Sequence, residues 1–281
     1  MSHTAECMSC GEPLTGRYCS GCGERAFSKH DYSIHHFFEL TAESLFHLDG
    51  RVLNTFRVLL QQPGVLARNF FEGPRKKYMG PVQCFIVANF IYLLVQPFTL
   101  VSTFTTTMKQ QMTQRYWSPL ARRMIEAKMA AAGLTEEIYA DRWEHTAHLQ
   151  AHTLLIILVP LTAIVYILLF GRSRKFLAEH LVLSFYVNAF FLIWYAIATW
   201  LWATGLRLWV VSGGSYLDFF EWVLIMMLGV PFTIHLYFVN RRFFNESRSM
   251  TWIKSILLML SYLGIITVYR FILFFTTFYA T

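Results

Sequence analysis

The chain has 281 residues, 55% of them hydrophobic, 17% aromatic and only 15% charged, with a formal charge of +7. Its mean hydropathy is +0.41. That balance excludes an ordinary soluble domain and points to a polytopic membrane protein. The excess of Lys and Arg collects beside apolar stretches, so it reads as membrane topology, and no nucleic-acid partner is expected.

The chain opens on two C-x-x-C pairs, Cys7 with Cys10 and Cys19 with Cys22, separated by eight residues. Two thiolates from each tight turn complete a tetrahedral four-sulfur site, the pattern of a small zinc ribbon. Gly11 and Gly23 follow the pairs, where a backbone without Cβ turns with positive φ and aims N–H groups at the sulfurs. A module of about 25 residues buries too little apolar surface to fold alone, so structural zinc supplies most of its stability. No His follows either pair, which argues against c-type haem attachment, and no βαβ pattern is present for a redox dithiol. Structural disulfides would require an exported segment. Cys84 lies in an apolar run and reads as packing.

Residues 27–80 read as an amphipathic connector. Ser33 caps a helix over 34–47, and a second helix runs from Asp49 to the stop at Pro63 and Gly64. Their apolar face suits the membrane interface or the underside of the spans. A turn over 73–81 then carries Arg75, Lys76, Lys77 and Tyr78, a candidate grip on anionic lipid headgroups or an interfacial anchor.

Five apolar stretches follow, at 82–103, 154–170, 181–204, 222–239 and 255–278. No secretory signal peptide precedes them, so insertion starts from the first internal span. Arg75, Lys76 and Lys77, then Arg172, Arg174 and Lys175, then Arg241, Arg242, Arg248 and Lys254 flank alternate span ends. The positive-inside rule puts these segments and the ribbon in the cytoplasm, with the C-terminus outside. A reducing cytoplasm also keeps the thiols available for zinc.

The outer loop over 104–152 should hold a helix begun by Ser118 and Pro119 and ended at Gly133, then one capped by Thr135 that runs into the second span. On that helix His145, His148 and His152 share a face with Asp141, a spacing able to supply ligands to a transition metal. Glu179 and His180 open the third span, and His235 lies near the same end of the fourth. Antiparallel packing would bring these together as an acid–histidine cluster or a packing network. Arg270 is the one Lys or Arg within a stretch, placed about 12 Å below its outer end and expected to pair with Asp218 or Glu221.

The run Glu43-Ser44-Leu45, Asp49-Gly50-Arg51, Thr55-Phe56-Arg57, Pro63-Gly64, then Phe71 to Tyr78 and Pro81, resembles a bacterial membrane-protein family of unknown function that carries an N-terminal zinc ribbon. Glu179-His180-Leu181-Val182 is similar to a further family element, although this chain has Tyr186 and Asn188 where that pattern continues with histidines. His235-Leu236-Tyr237 and Arg241-Arg242 extend the likeness. The resemblance implies an architecture and brings no activity with it.

The expected fold is therefore all-α: a polytopic membrane helical bundle of about five transmembrane helices with a ribbon at 1–26, a connector at 27–80 and a bundle at 81–281. A P-loop, a dinucleotide fingerprint, G-x-S-x-G and H-E-x-x-H are all missing, and no catalytic residue is assigned. The favoured function is a membrane-bound accessory or regulatory protein, more a non-enzyme than an enzyme. Membrane lipids and a cytoplasmic protein docking on the ribbon are its expected partners. The alternatives are a transporter of small solutes, ions or lipids, and an intramembrane lipid-modifying enzyme using Glu179 and His180.

Overall fold

The computed structural model describes residues 6–14, 16, 18–23, 51–99, 104–173, 176–211 and 217–281, and for 210–211 and 217–222 the backbone alone. The expected helix over 34–47, with its Ser33 cap, lies outside the described residues. The fold is all-α as anticipated, with a cysteine-rich ribbon whose residues Glu6 and Pro13 form an isolated antiparallel bridge.

Helix α1 spans Arg51–Gln61 and α2 spans Val65–Glu72. Gly64 joins them at φ +83, a left-handed conformation that costs an L side chain energy but not glycine. The close neighbour there is the backbone of Val239. Gly80 and Pro81 then open α3, Pro81–Val95, with proline at the first turn where its missing N–H is no loss. The helix tightens into a 3₁₀ turn over Gln96–Phe98 around Pro97. The first span thus ends at Phe98, short of the expected 103: Pro97 has no N–H to continue the i→i−4 ladder, and Thr99 is already extended.

Beyond 104 the chain builds a small helical cap. Thr107 and Gln110 form a reciprocal capping box at the start of α4, Met108–Thr113. Helix α5 spans Ser118–Ala132 and stops at Gly133, φ +62. Ser118 is its first residue; its hydroxyl donates to the Gln111 carbonyl and accepts from the Arg115 amide, so it fastens α5 to α4. Helix α6, Glu136–Leu154, passes through a 3₁₀ turn at Leu155–Ile157 into α7, Leu158–Phe170. Together they make the continuous second span that Thr135 was expected to start.

Helix α8 spans Leu177–Val211, α9 spans Leu217–Phe244 and α10 spans Arg248–Ala280. Asn245, at φ +52, ends α9, and the Ser247 hydroxyl accepts from Met250 N to cap α10. Among the described residues, five helices are long and apolar enough to cross a membrane. Helix α8 is the axis of the bundle: 83% of its most apolar stretch is buried, against 28–39% for the others. It packs against α3, α7 and α9, while α10 lies on α6, α7 and α9. Phe90, Leu94, Leu168, Phe238 and Leu263 point outward and suit lipid.

Both α6–α7, at 35 residues, and α10, at 33, are about 50 Å long, well beyond a hydrocarbon core of about 30 Å. Their excess length forms the cap, where Met108, Ala121, Ile125, Trp143 and Phe274 make a second buried cluster.

Candidate metal centre and the polar contacts around it

Each C-x-x-C pair closes a tight turn. Gly11 N donates to Cys7 O and Gly23 N to Cys19 O, both at 2.8 Å, and the two glycines take φ +81 and +66. The turns face each other crosswise. Cys7 Sγ lies 3.5 Å from Cys22 Sγ and Cys10 Sγ 3.3 Å from Cys19 Sγ, and all four sulfurs fall within 4.8 Å of one another. A tetrahedral ion with metal–sulfur bonds of about 2.3 Å sets its ligands about 3.8 Å apart, so the cluster has the size such an ion requires. None of the four cysteines forms a disulfide. Backbone hydrogen bonding from Cys22 pulls the Cys19 thiol down to about 7, while Cys10, despite a lowering backbone hydrogen bond at Glu12, is pushed up to about 12 by its hydrogen bond with Cys19. Cys7 and Cys19 are buried while Cys10 is exposed. Among the described residues this is the only group of three or more potential ligands close enough to share an ion.

The ribbon touches the membrane portion through Lys76, whose Nζ donates to the Cys22 carbonyl. The turn that carries Lys76 is clasped from two sides. From α1, Asn54 Nδ2 donates to Lys77 O at 3.3 Å and Thr55 Oγ1 accepts from Met79 N at 2.9 Å. From α8, the Tyr186 hydroxyl donates to Met79 O at 3.0 Å. Arg75 lies 6.0 Å over the Phe70 ring, Lys77 is exposed and Tyr78 is half-buried. Of the four residues proposed for headgroups, Lys76 thus contacts the ribbon. A second clasp holds the Pro63–Gly64 stop, where Arg242 Nη1 donates to Pro63 O at 2.8 Å.

The intramembrane candidates do not meet. Glu179 Oε2 accepts from Phe176 N at 3.4 Å, the reach-back of an N3 carboxylate at a helix start. His180 lies beside Phe244 at 6.0 Å between ring centroids, and His235 stacks on Phe190 at 3.4 Å. Phe190 is ten residues beyond His180 in α8, about 15 Å along the axis, so the antiparallel register of α8 and α9 separates the histidines. His235 instead borders a small cavity with Gln62, Gly64 and Tyr186.

On the cap, His148 and His152 are 5.2 Å apart between centroids, His145 and His148 are exposed, and the three do not converge on an ion site. His152 packs near Tyr92, and His148 borders an open cup with Glu144 and Thr105–Thr107. Arg270 is half-buried next to Phe271, whose ring meets Trp117 of the cap at 5.3 Å. It therefore sits near the junction of bundle and cap, within the candidate span of α10, with the apolar residues 271–275 continuing beyond it. The side chains of Asp218 and Glu221, its expected partners, lie outside the described residues.

Sequence reasoning missed a buried polar contact in the core. Asn188 Nδ2 donates to Thr162 Oγ1 at 3.1 Å and to Ser184 O at 2.8 Å, while its Oδ1 accepts from the Tyr262 hydroxyl at 3.3 Å. These side chains join α7, α8 and α10 in the core. The signal was one polar residue among others in each of three apolar runs, and only Asn188 stood out, as a departure from a histidine pattern. Asn240 and Ser255 similarly tie α9 to α10 at 2.9 Å.

Residues 49–93 match the model of a protein family described as a protein of unknown function (DUF3667). The match covers α1, α2, the clasped turn and most of α3. No curated protein and no solved structure matches the chain.

Proposed function

We propose that this chain is a multi-pass protein of the bacterial cytoplasmic membrane that serves an accessory or regulatory role, with a structural zinc ribbon that docks a cytoplasmic partner. Its working units are the ribbon at 1–26, the connector at 27–80 and the bundle at 81–281, with the cap at 104–152 outside. The observation that carries this reading is the closed set of four cysteine sulfurs. Four protein ligands leave a metal no open position for substrate, so the centre suits structure rather than catalysis. Zinc, which has no redox chemistry and accepts tetrahedral thiolates, is the fitting ion. Met8 and Tyr18, 65% and 63% exposed, give the ribbon apolar side chains for a partner to cover.

Orientation is supported by charge. Contacts gather the basic segments at the ribbon end: Lys76 at Cys22, Arg242 at Pro63, and Lys254 at Glu246, which also accepts from Ser173. The reading is tested by metal analysis of the purified chain and by affinity capture with and without residues 1–26. One zinc per chain and a partner lost with the ribbon are expected. A metal-free protein would overturn the zinc assignment, and an unchanged set of captured proteins would overturn the docking role.

A further inference from the structure

Three arginines from two separate helices line one open groove at the ribbon end. Arg68 comes from α2, and Arg241 and Arg242 close α9. Glu72, Phe238 and Asn245 share the lining of a groove of about 490 Å³. Glu72 is the one carboxylate in that lining, and its Oε2 already accepts from Arg68 Nε at 3.1 Å. The groove thus keeps an excess of positive charge. Arg242 spends one nitrogen on Pro63 O, which fixes the guanidinium in place while its planar fork retains further N–H donors.

The apolar surface below the groove has a matching form. Val230, Ile234 and Phe238 follow one another at i, i+4 and i+8 on α9 and are 50%, 41% and 52% exposed. That row is one ridge of the helix, about 12 Å long, and it leads straight to the arginines. A cationic groove at the end of a span, continued by an apolar ridge along the span, matches a phosphate attached to acyl chains. A free phosphate or nucleotide would use the arginines and leave the ridge without a role.

We propose that this groove binds the phosphate of an anionic phospholipid, with the acyl chains laid along Val230, Ile234 and Phe238. Guanidinium groups pair with phosphate oxygens through directed, charge-assisted hydrogen bonds. The proposal rests on the membrane reading above and is independent of what the ribbon docks. It also moves the headgroup site away from the turn over 73–81.

The test uses the full chain in nanodiscs of phosphatidylcholine containing a minor fraction of phosphatidylglycerol. After mild detergent extraction, the lipid retained per protein is counted by mass spectrometry. Phosphatidylglycerol should be enriched over phosphatidylcholine. Arg68→Gln with Arg241→Gln should lower that enrichment by roughly fivefold for each charge removed. Arg242 is left intact because it holds Pro63. Arg241→Gln alone gives a milder reading in a chain that keeps the Arg68–Glu72 pair. Arg75→Gln with Lys77→Gln, in the other basic turn, should leave the enrichment unchanged. Equal retention of the two lipids by the parent chain, or unchanged enrichment in the Arg68/Arg241 variant, overturns the proposal. Release of the retained lipid by millimolar inorganic phosphate would identify a soluble anion as the ligand and overturn it too.

Discussion

At the scale of single residues, two glycines with similar backbone separate strain from packing. Gly64 has φ +83, and a Cβ there would stand 3.1 Å from Val239 O and 3.2 Å from Val239 Cα. Gly133 has φ +62 with nothing within 4 Å of its Cβ position. Gly133→Ala should therefore show only the left-handed penalty, about 1–2 kcal/mol. Gly64→Ala should cost more, because α9 must also back away from the turn. Thermal unfolding of both variants in one detergent checks the order; equal losses would mean that the approach of α9 is unimportant. Asn188→Leu breaks the contact that joins α7, α8 and α10, and should destabilise by about 0.6–1.7 kcal/mol, the range for hydrogen bonds between membrane helices. A neutral result in the same assay would show that Thr162 and Tyr262, 3.5 Å apart, satisfy each other without it. The cysteines were legible because metal chemistry fixes both residue type and spacing. Asn188 was not, because its partners lie 26 and 74 residues away and nothing local records that they meet.

At the scale of elements, apolar stretches identified the five spans but not the full helices. Hydropathy does not separate the part of a helix that suits lipid from one that packs in a buried cluster: α6 carries the second span on into the cap, and the apolar end of α10 belongs to the cap's own cluster. Arg270 lies in that end of α10, beside Phe271, whose ring meets Trp117 of the cap. Helix α4 was missed outright, since six residues carry no readable period and its capping box is a Thr107–Gln110 pair inside a polar loop. The cap gives an element-level prediction. Trp143 is buried against Tyr139 and Phe274. Trp143→Ala should remove about 3–5 kcal/mol of packing from the cap, the usual loss for a large aromatic. Hydrogen exchange should then rise across α4, α5 and the first turns of α6, with α8 protected as before. Exchange rising equally in α8 would mean that cap and bundle unfold as one unit. The ribbon makes the complementary case. Described ribbon residues bury little besides Cys7 and Cys19, so a strong chelator should unfold it while the helical circular dichroism of the bundle persists.

At the scale of the whole molecule, topology is the property that sequence and structure approach from different sides. The sequence offers a count of charges beside each apolar stretch, and the fold decides whether those charges end up together. In part they do: the link holding Ser173 and the α9–α10 junction holding Glu246 and Lys254 are joined by direct contacts, while the turn holding Lys76 contacts the ribbon at Cys22. Lys128, by contrast, reaches the Phe278 carbonyl at the cap end, where α5 meets the last turns of α10. The proposed five crossings would set the ribbon and the end of α10 on opposite sides, with the ribbon in the cytoplasm under the proposed charge-based orientation. Single cysteines introduced at Ser173, Asn245 and Glu136, in a chain lacking the native five, report the sides directly. A membrane-impermeant maleimide added to intact cells should label Glu136→Cys and spare the other two until the membrane is opened. Labelling of all three from outside would break the five-span arrangement. Labelling of Ser173→Cys and Asn245→Cys alone would keep the arrangement but invert it. The ribbon would then face an oxidising compartment, where its four thiols would be expected to pair as disulfides rather than hold zinc.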